Sequence, residues 1–291
     1  MAHPKAHISS QSGRRVVITG ANTGIGRVAA VALAEAGAEV ILACRSAERT
    51  ASVLEEIGPE RGHFVPLDLG SLGSVRAAAD SILADGRPID CLINNAGLAG
   101  NKGLTTEGFE RTFGVNHLGH YLFTRMLLPL LIEAAPARIV TIASRAHTRA
   151  RRIRWDKLHT EFSGTVGMDM YQVSKLANVL FSAELGRRLE GTGITTYSLH
   201  PGVVATDIWR RLPGWAESLV KRLMITSEEG AQTTLHCAAS DEAGKETGLY
   251  YDKCRVKAET SVARDQALAK ELWDRSAEWV GLPAELERGS P

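Results

Sequence analysis

The segment RVVITGANTGIGRVAAVALAEAG, residues 15–37, decides how the whole chain is read. It begins with a short β-branched run, RVVIT, of the kind that fills a strand buried on both faces. Gly20, Gly24 and Gly26 follow at once, and from residue 25 the apolar spacing becomes helical. A strand that breaks on glycines and reopens as a helix has a chemical use. The glycines let backbone approach a ligand closely, while the helix start offers unpaired N–H groups and the positive end of a dipole. Both features suit a pyrophosphate. The spacing is G-x-x-x-G-x-G rather than G-x-G-x-x-G, and the context of strand before and helix after is what gives the turn its weight.

Outward from this segment the same alternation continues. Strand candidates lie at 15–19, 39–44, 63–67, 90–94, 138–143, 195–199 and 248–252, separated by amphipathic stretches at 25–36, 46–57, 72–84, 107–133, 169–190, 227–239 and 262–280. Short apolar strands separated by helices predict an α/β fold, a single-domain Rossmann-type doubly wound parallel sheet with helices on both faces. Residues 14–282 form the expected domain, with flexible tails at 1–13 and 283–291. Ligands in such sheets bind beyond the carboxyl ends of the strands, so the loops there are where chemistry is expected. Two long segments break the rhythm, 145–168 and 203–226, and loops of that length in a compact domain are usually functional or mobile.

Composition narrows the function. The 291 residues are 44% hydrophobic and carry a net charge of +1, so no global field draws the chain to nucleic acid or an acidic membrane. The basic run RARRIRW at 149–155 reads as a solvated loop. Cys44, Cys91, Cys237 and Cys254 lack metal or disulfide spacing, and the first two fall in or beside strands as small apolar fillers. His117 and His120 have no partner at ligand spacing, so packing or polar roles are expected and no metal is. The start has no apolar leader and no run of about 18 apolar residues follows, which predicts a soluble, cytoplasmic protein without an integral membrane segment.

Individual residues then acquire roles. Arg45 stands after the second strand, where an acid would hold a ribose 2′-hydroxyl, and a guanidinium there suits a 2′-phosphate, favouring NADP over NAD. Arg27, just past the glycine turn, competes between a second phosphate contact and a surface charge. Asp68 after the third strand could accept from an adenine amine, and the small residues of NNAG, 94–97, let backbone pass close to a ribose. Both also fit plain turn chemistry. In MYQVSKLANVLF, residues 170–181, Tyr171 and Lys175 share a helix face at i and i+4. A positive charge beside a phenol favours its ionised form, which would make Tyr171 a usable acid or base, although in isolation such a pair reads first as a core aromatic and a solvated surface charge.

TGANTGIG, NNAG, VNHLGHYL, a serine after the fifth strand, YQVSK and HPG occur here in the order of the short-chain dehydrogenase/reductase family, which the chain resembles from about residue 14 to 282. ILACR, NHLGHYLFT, SKLANVLFSAELGRRL and TTYSLHPGVV are most similar to its retinol-dehydrogenase-like branch. The resemblance implies a catalytic set of Asn116, Ser144, Tyr171 and Lys175. Tyr171 would exchange a proton with a substrate oxygen, Ser144 would stabilise that oxygen, Lys175 would hold the nicotinamide ribose and bias Tyr171, and Asn116 would anchor a water linking the lysine to solvent. It also implies NADP contacts from Gly20, Asn22, Thr23, Gly24, Ile25 and Gly26, from Arg45, Asp68 and Leu69, from Asn95, Ala96 and Gly97, and from Tyr171 and Lys175. Pro201, Gly202, Val204 and Thr206 would flank the nicotinamide.

Two departures from the family pattern are visible: Ser144 and Tyr171 stand 27 positions apart, and IASRAH carries alanine where a second serine is common. After HPG, Trp209, Leu212, Trp215, Leu219 and Leu223 recur at three and four, an apolar stripe that could close over an apolar substrate, pack as core or touch a membrane surface. The expectation is an NADP(H)-dependent oxidoreductase acting on an apolar aldehyde, ketone or alcohol such as a retinoid or steroid. A catalytically silent dinucleotide-binding scaffold or redox sensor is the rival, and a light-dependent pigment reductase shares parts of the motifs. The helices at 107–133 and 169–190 could pair across a symmetry axis in a homo-oligomer.

Overall fold

The computed structural model describes residues 4–161, 168–202 and 225–286. Among them eight strands form one sheet in the order β3-β2-β1-β4-β5-β6-β7-β8. These are β1 (Arg15–Thr19), β2 (Glu39–Cys44), β3 (Gly62–Pro66), β4 (Cys91–Asn94), β5 (Ala137–Ile142), β6 (Ile194–His200), β7 (Leu249–Asp252) and β8 (Arg255–Val256). All neighbouring pairs from β3 to β7 are parallel, and β8 turns back antiparallel on β7. The chain runs from β1 to β2 and β3 on one side, then crosses to β4 on the other. That reversal opens a crevice at the carboxyl ends of β1 and β4, where an open parallel sheet binds its ligand.

Alternation along the strands divides the core. Val17, Ile41, Leu92 and Ile139 face one hydrophobic cluster, whereas Val16, Ile18, Val40, Leu42, Ile93 and Val140 face the other. The first cluster is covered by α3 (Leu72–Asp85), α5 (Gly119–Glu133), α6 (Met168–Arg188) and α8 (Gln266–Trp279). The second is covered by α1 (Gly24–Glu35), α2 (Ala47–Ile57) and α7 (Ser227–Ala239). Burial on both faces explains why the strands read as unbroken apolar runs.

The helix starts are not alike. Ser46, Ser71, Thr226 and Asp265 each accept a backbone N–H of the helix they precede, and Thr226 completes a capping box with Glu229. Thr23 before α1 makes no such bond, leaving the first-turn N–H groups of that helix to face the crevice.

The stretch 107–133, expected as one helix, is broken. A short α4 (Arg111–Phe113) leads into a π turn, Gly114–Leu118, and only then into α5. Glu110 sets the start by accepting the Phe113 N–H at 2.8 Å. Gly119 allows α5 to lie close to the loop after β3, since a Cβ there would sit 2.6 Å from the Leu69 carbonyl oxygen. Residues 262–280 likewise divide into a 3-10 turn at Val262–Arg264 and α8.

Residues 4–13 and 283–286, read from the sequence as parts of flexible tails, carry tertiary hydrogen bonds. The Ala6 N–H donates to Gln232 Oε1 at 2.8 Å, Gln11 N–H to the Ala36 carbonyl at 2.8 Å, and Gln11 is only 2% exposed. At the other end Trp273 Nε1 donates to the Ala284 carbonyl at 2.6 Å. The apolar stripe from Trp209 to Leu223, with Val204 and Thr206, lies outside the described residues.

Candidate active site

One cleft of about 900 Å³ opens at the carboxyl ends of the central strands. The glycine turn forms its floor at one end, with Asn22, Thr23 and Ile25 beside Gly20, Gly24 and Gly26. Arg45 from the end of β2, Asp68 and Leu69 after β3, and Asn95, Ala96 and Gly97 after β4 continue the wall. Ser144 after β5, Tyr171 and Lys175 on α6, and Pro201 and Gly202 after β6 complete the opposite end.

The floor is shaped for a ligand that comes close to backbone. A Cβ on Gly26 would collide with Asn95 Nδ2 and lie 2.6 Å from the Gly20 carbonyl oxygen, and one on Gly20 would lie 2.9 Å from Ala96 Cβ. Gly20 and Gly24 also hold positive φ, at 66° and 56°, which costs glycine little and other residues more. Together with the uncapped start of α1, this cradle fits the pyrophosphate of a dinucleotide. Arg45 is exposed in the cleft and has no hydrogen bond or ion pair among the described residues. Arg27 is committed elsewhere: its guanidinium meets Glu56 at 2.6 Å. Asp68 Oδ1 accepts the Gly70 N–H at 2.9 Å, so the carboxylate also shapes its own turn.

At the other end, α6 presents Tyr171 and Lys175 to the cleft one turn apart. Lys175 is 3% exposed, its Nζ lies 5.7 Å from the centre of the Tyr171 ring, and it donates to the Ile142 carbonyl at 2.9 Å. Asn178 Nδ2 donates to that same carbonyl at 3.0 Å. Burial pulls the Lys175 amine down from 10.5 to about 7. Burial pushes the Tyr171 phenol up, and a hydrogen bond with the Ser144 hydroxyl opposes it. The expected lowering of the phenol by Lys175 is therefore absent in the bare cleft. An amine that releases its proton near 7 is already neutral where the phenol titrates, so it cannot favour a phenolate there.

Asn116 does not line the cleft; it lies fully buried behind the wall. Its Oδ1 accepts the Leu98 N–H at 2.8 Å, and its Nδ2 donates to the Leu98 carbonyl at 2.9 Å and to Ser174 Oγ at 3.0 Å. Ser174 Oγ in turn donates to the Tyr171 carbonyl at 2.8 Å. The amide is thus fully engaged within the protein, tying the loop after β4 to α6.

Sequence reasoning missed part of the lining. Arg145, Thr148 and Arg149 reach the cleft because Ser144 caps a 3-10 turn, Arg145–Arg149, that runs along its rim. The basic run that reads as a solvated loop begins in this turn. Arg145 pairs with Asp252 at 3.2 Å, as Lys257 does at 2.9 Å. Burial alone would raise the Asp252 carboxyl, but Lys257 and Arg145 outweigh it and hold it low. His200 also lines the cleft; burial draws its imidazole to about 4, so it is neutral despite its register neighbour Asp252.

A sequence profile described as short chain dehydrogenase matches residues 14–155. Human "Retinol dehydrogenase 11" is 43% identical over 278 residues, covering 93% of this chain and 87% of that protein. The chain belongs to the short-chain dehydrogenase/reductase family. The chain is also similar to the solved structure of an uncharacterised protein from Mycobacterium paratuberculosis, 32% identical with a TM-score of 0.78, over 96% of this chain and 97% of that one. A 3-ketoacyl-(acyl-carrier-protein) reductase from Brucella melitensis, solved with NADH, is 26% identical with a TM-score of 0.67, over 84% of this chain and 97% of that one. The chain is an oxidoreductase of this family with retinol-dehydrogenase-like relatives, and no helix among the described residues is long and apolar enough to cross a membrane.

Proposed function

We propose that the protein is an NADP(H)-dependent oxidoreductase that moves hydride between the nicotinamide and an apolar carbonyl or alcohol of retinoid or steroid type, with Tyr171 exchanging the proton. The observation that carries this reading is the cleft: the glycine cradle, Arg45, Ser144, Tyr171 and Lys175 all line it. The dinucleotide, when bound, supplies or accepts hydride at the substrate carbon.

The chain's own residues do the rest. Gly20, Gly24 and Gly26 with the start of α1 hold the pyrophosphate, and the exposed guanidinium of Arg45 holds a 2′-phosphate. Asn95, Ala96 and Gly97 flank the ribose, and Pro201 and Gly202, with Val204 and Thr206 beyond them, are assigned to the nicotinamide. Tyr171 gives its phenolic proton to the substrate oxygen in reduction and takes it back in oxidation. The Ser144 hydroxyl donates to that oxygen as negative charge builds. Lys175 regains its proton when negative charge enters the cleft, because an opposite charge favours the charged amine, and the charged amine then lowers the phenol. In this scheme Tyr171 becomes a good acid only once the cleft is filled. Free cysteines at 44, 91, 237 and 254 support a reducing, cytoplasmic setting.

The test is turnover. Mixed with NADPH and a panel of apolar aldehydes and ketones including retinal, the protein should consume nicotinamide absorbance, and Tyr171→Phe should lower kcat by about 10²–10⁴-fold while leaving NADPH affinity within a few-fold. No loss of absorbance with any carbonyl, by a protein that binds NADPH tightly, would make it a silent dinucleotide-binding scaffold.

A further inference from the structure

Behind the cleft wall, His120 occupies the first turn of α5 and is 1% exposed. Its Nε2 lies 2.8 Å from Thr19 Oγ1, at the end of β1, and its Nδ1 lies 3.1 Å from the Asn116 carbonyl oxygen in the π turn. The direction of each bond follows from counting. Thr19 Oγ1 already accepts two backbone N–H groups, from Asn95 and Ala96, each at 2.9 Å. A hydroxyl has two acceptor sites and one proton, so the Thr19 proton goes to His120 Nε2. His120 Nε2 is then an acceptor, and the neutral ring carries its proton on Nδ1, which donates to Asn116.

The Asn116 carbonyl sits where the helix changes its hydrogen-bonding step. In the π turn hydrogen bonds run five residues back, as from the Gly119 N–H to the Gly114 carbonyl. Four-residue bonding resumes in α5. The imidazole is the side chain that accepts at one end and donates at the other, across a ring that spans the two elements.

We infer that His120, as the neutral Nδ1–H tautomer, is a positioning residue that locks the wall at Asn95–Ala96 to the π turn bearing Asn116, and so to the helix bearing Tyr171 and Lys175. The chain of bonds is continuous. It runs from Asn95 and Ala96 through Thr19 and His120 to the Asn116 carbonyl. From the Asn116 amide it runs to both backbone groups of Leu98 and to Ser174, and from Ser174 to the Tyr171 carbonyl. One ring therefore holds the dinucleotide wall and the proton-transfer helix in a common register. The inference rests on the function proposed above for what the cleft binds, and its own test does not require a substrate.

Two variants cut the chain at adjacent links. His120→Phe keeps the ring's shape and removes both bonds; Thr19→Val keeps the branched shape and removes the hydroxyl, whereas Thr19→Ser retains it. NADPH affinity, read by quenching of tryptophan fluorescence, should fall about tenfold to a hundredfold in His120→Phe and in Thr19→Val, the equivalent of one or two unmet buried groups. Thr19→Ser should stay close to the parent. The Thr19→Val/His120→Phe double variant should bind no worse than the weaker single variant, because both break one network. Nitrogen NMR of the unmodified, dinucleotide-free protein should show Nδ1 protonated and Nε2 bare, unchanged from pH 6 to 9. A proton on Nε2, a ring that titrates in that range, or NADPH affinity within twofold in folded His120→Phe or Thr19→Val overturns the inference. If His120→Phe does not fold, the Thr19 pair and the NMR decide it. Tight NADPH binding without turnover of any carbonyl would end the enzymatic reading and leave these outcomes intact.

Discussion

Lys175→Met measures what a buried amine costs the empty protein. The native side chain is 3% exposed, and burial draws its amine from 10.5 to about 7. Methionine has similar length and no charge, and the Ile142 carbonyl that loses Lys175 keeps Asn178 at 3.0 Å. In the unfolded chain the lysine stays protonated to about 10.5, whereas in the folded chain it releases its proton near 7, so between these limits the unfolded state binds more protons. Stability of the native sequence therefore rises with pH across that window. Each pH unit above the folded value is worth about 1.4 kcal/mol, which integrates to about 2.5 kcal/mol between pH 6 and 9. The variant lacks this contribution, and other titrating groups cancel in the comparison. At pH 6 Lys175→Met should be the more stable protein even after losing one hydrogen bond worth about 1 kcal/mol. By pH 9 its advantage should have shrunk by about 2.5 kcal/mol. Urea unfolding of both dinucleotide-free proteins at four pH values reads this directly. Parallel pH curves, or a native sequence more stable at every pH, would refute the account of Lys175 as a neutralised amine in the bare cleft.

Gly26→Ala should destabilise the fold by about 1–3 kcal/mol and weaken NADPH binding by tenfold or more, because the new methyl meets Asn95 Nδ2 and the Gly20 carbonyl; unchanged melting and affinity would mean the cradle is looser than described. Arg45→Asp should weaken NADPH by about tenfold to a hundredfold more than NADH, the size of one charge-assisted contact. Equal losses for the two dinucleotides in parallel titrations would remove the assignment of the 2′-phosphate to Arg45.

Much of this architecture was legible because burial on two faces writes itself into composition. Val16 to Ile18, Val40 to Leu42 and the pair Ile139 and Val140 are apolar at successive positions since each neighbour meets a different layer of helices. The two-residue β8 was not legible: Arg255 and Val256 are both exposed, and their pairing depends on a reversal at Lys253 and Cys254, which hold positive φ. Nor was the π turn at 114–118, since its apolar spacing matches that of an ordinary helix, while the close approach of Gly119 to Leu69 beside it lies in tertiary structure. At the site, motif residues could be placed by order along the chain, because loops after parallel strands converge at one edge. Electrostatic signs could not. Whether Lys175 carries charge depends on how deeply α6 is buried, and whether Arg27 is available depends on Glu56, 29 residues on. His120 was seen as a polar packing residue, and only the bonds around Thr19 give it a direction.

The bare start of α1 ties the lifetime of the protein to the supply of its ligand. Where neighbouring helices bring their own stoppers, this one relies on a visitor, so the folded state gains stability in proportion to the logarithm of ligand concentration, about 2.7 kcal/mol at a hundredfold excess over Kd. A cell short of dinucleotide would then hold less of the protein through faster degradation of the unliganded form, without any change in its synthesis.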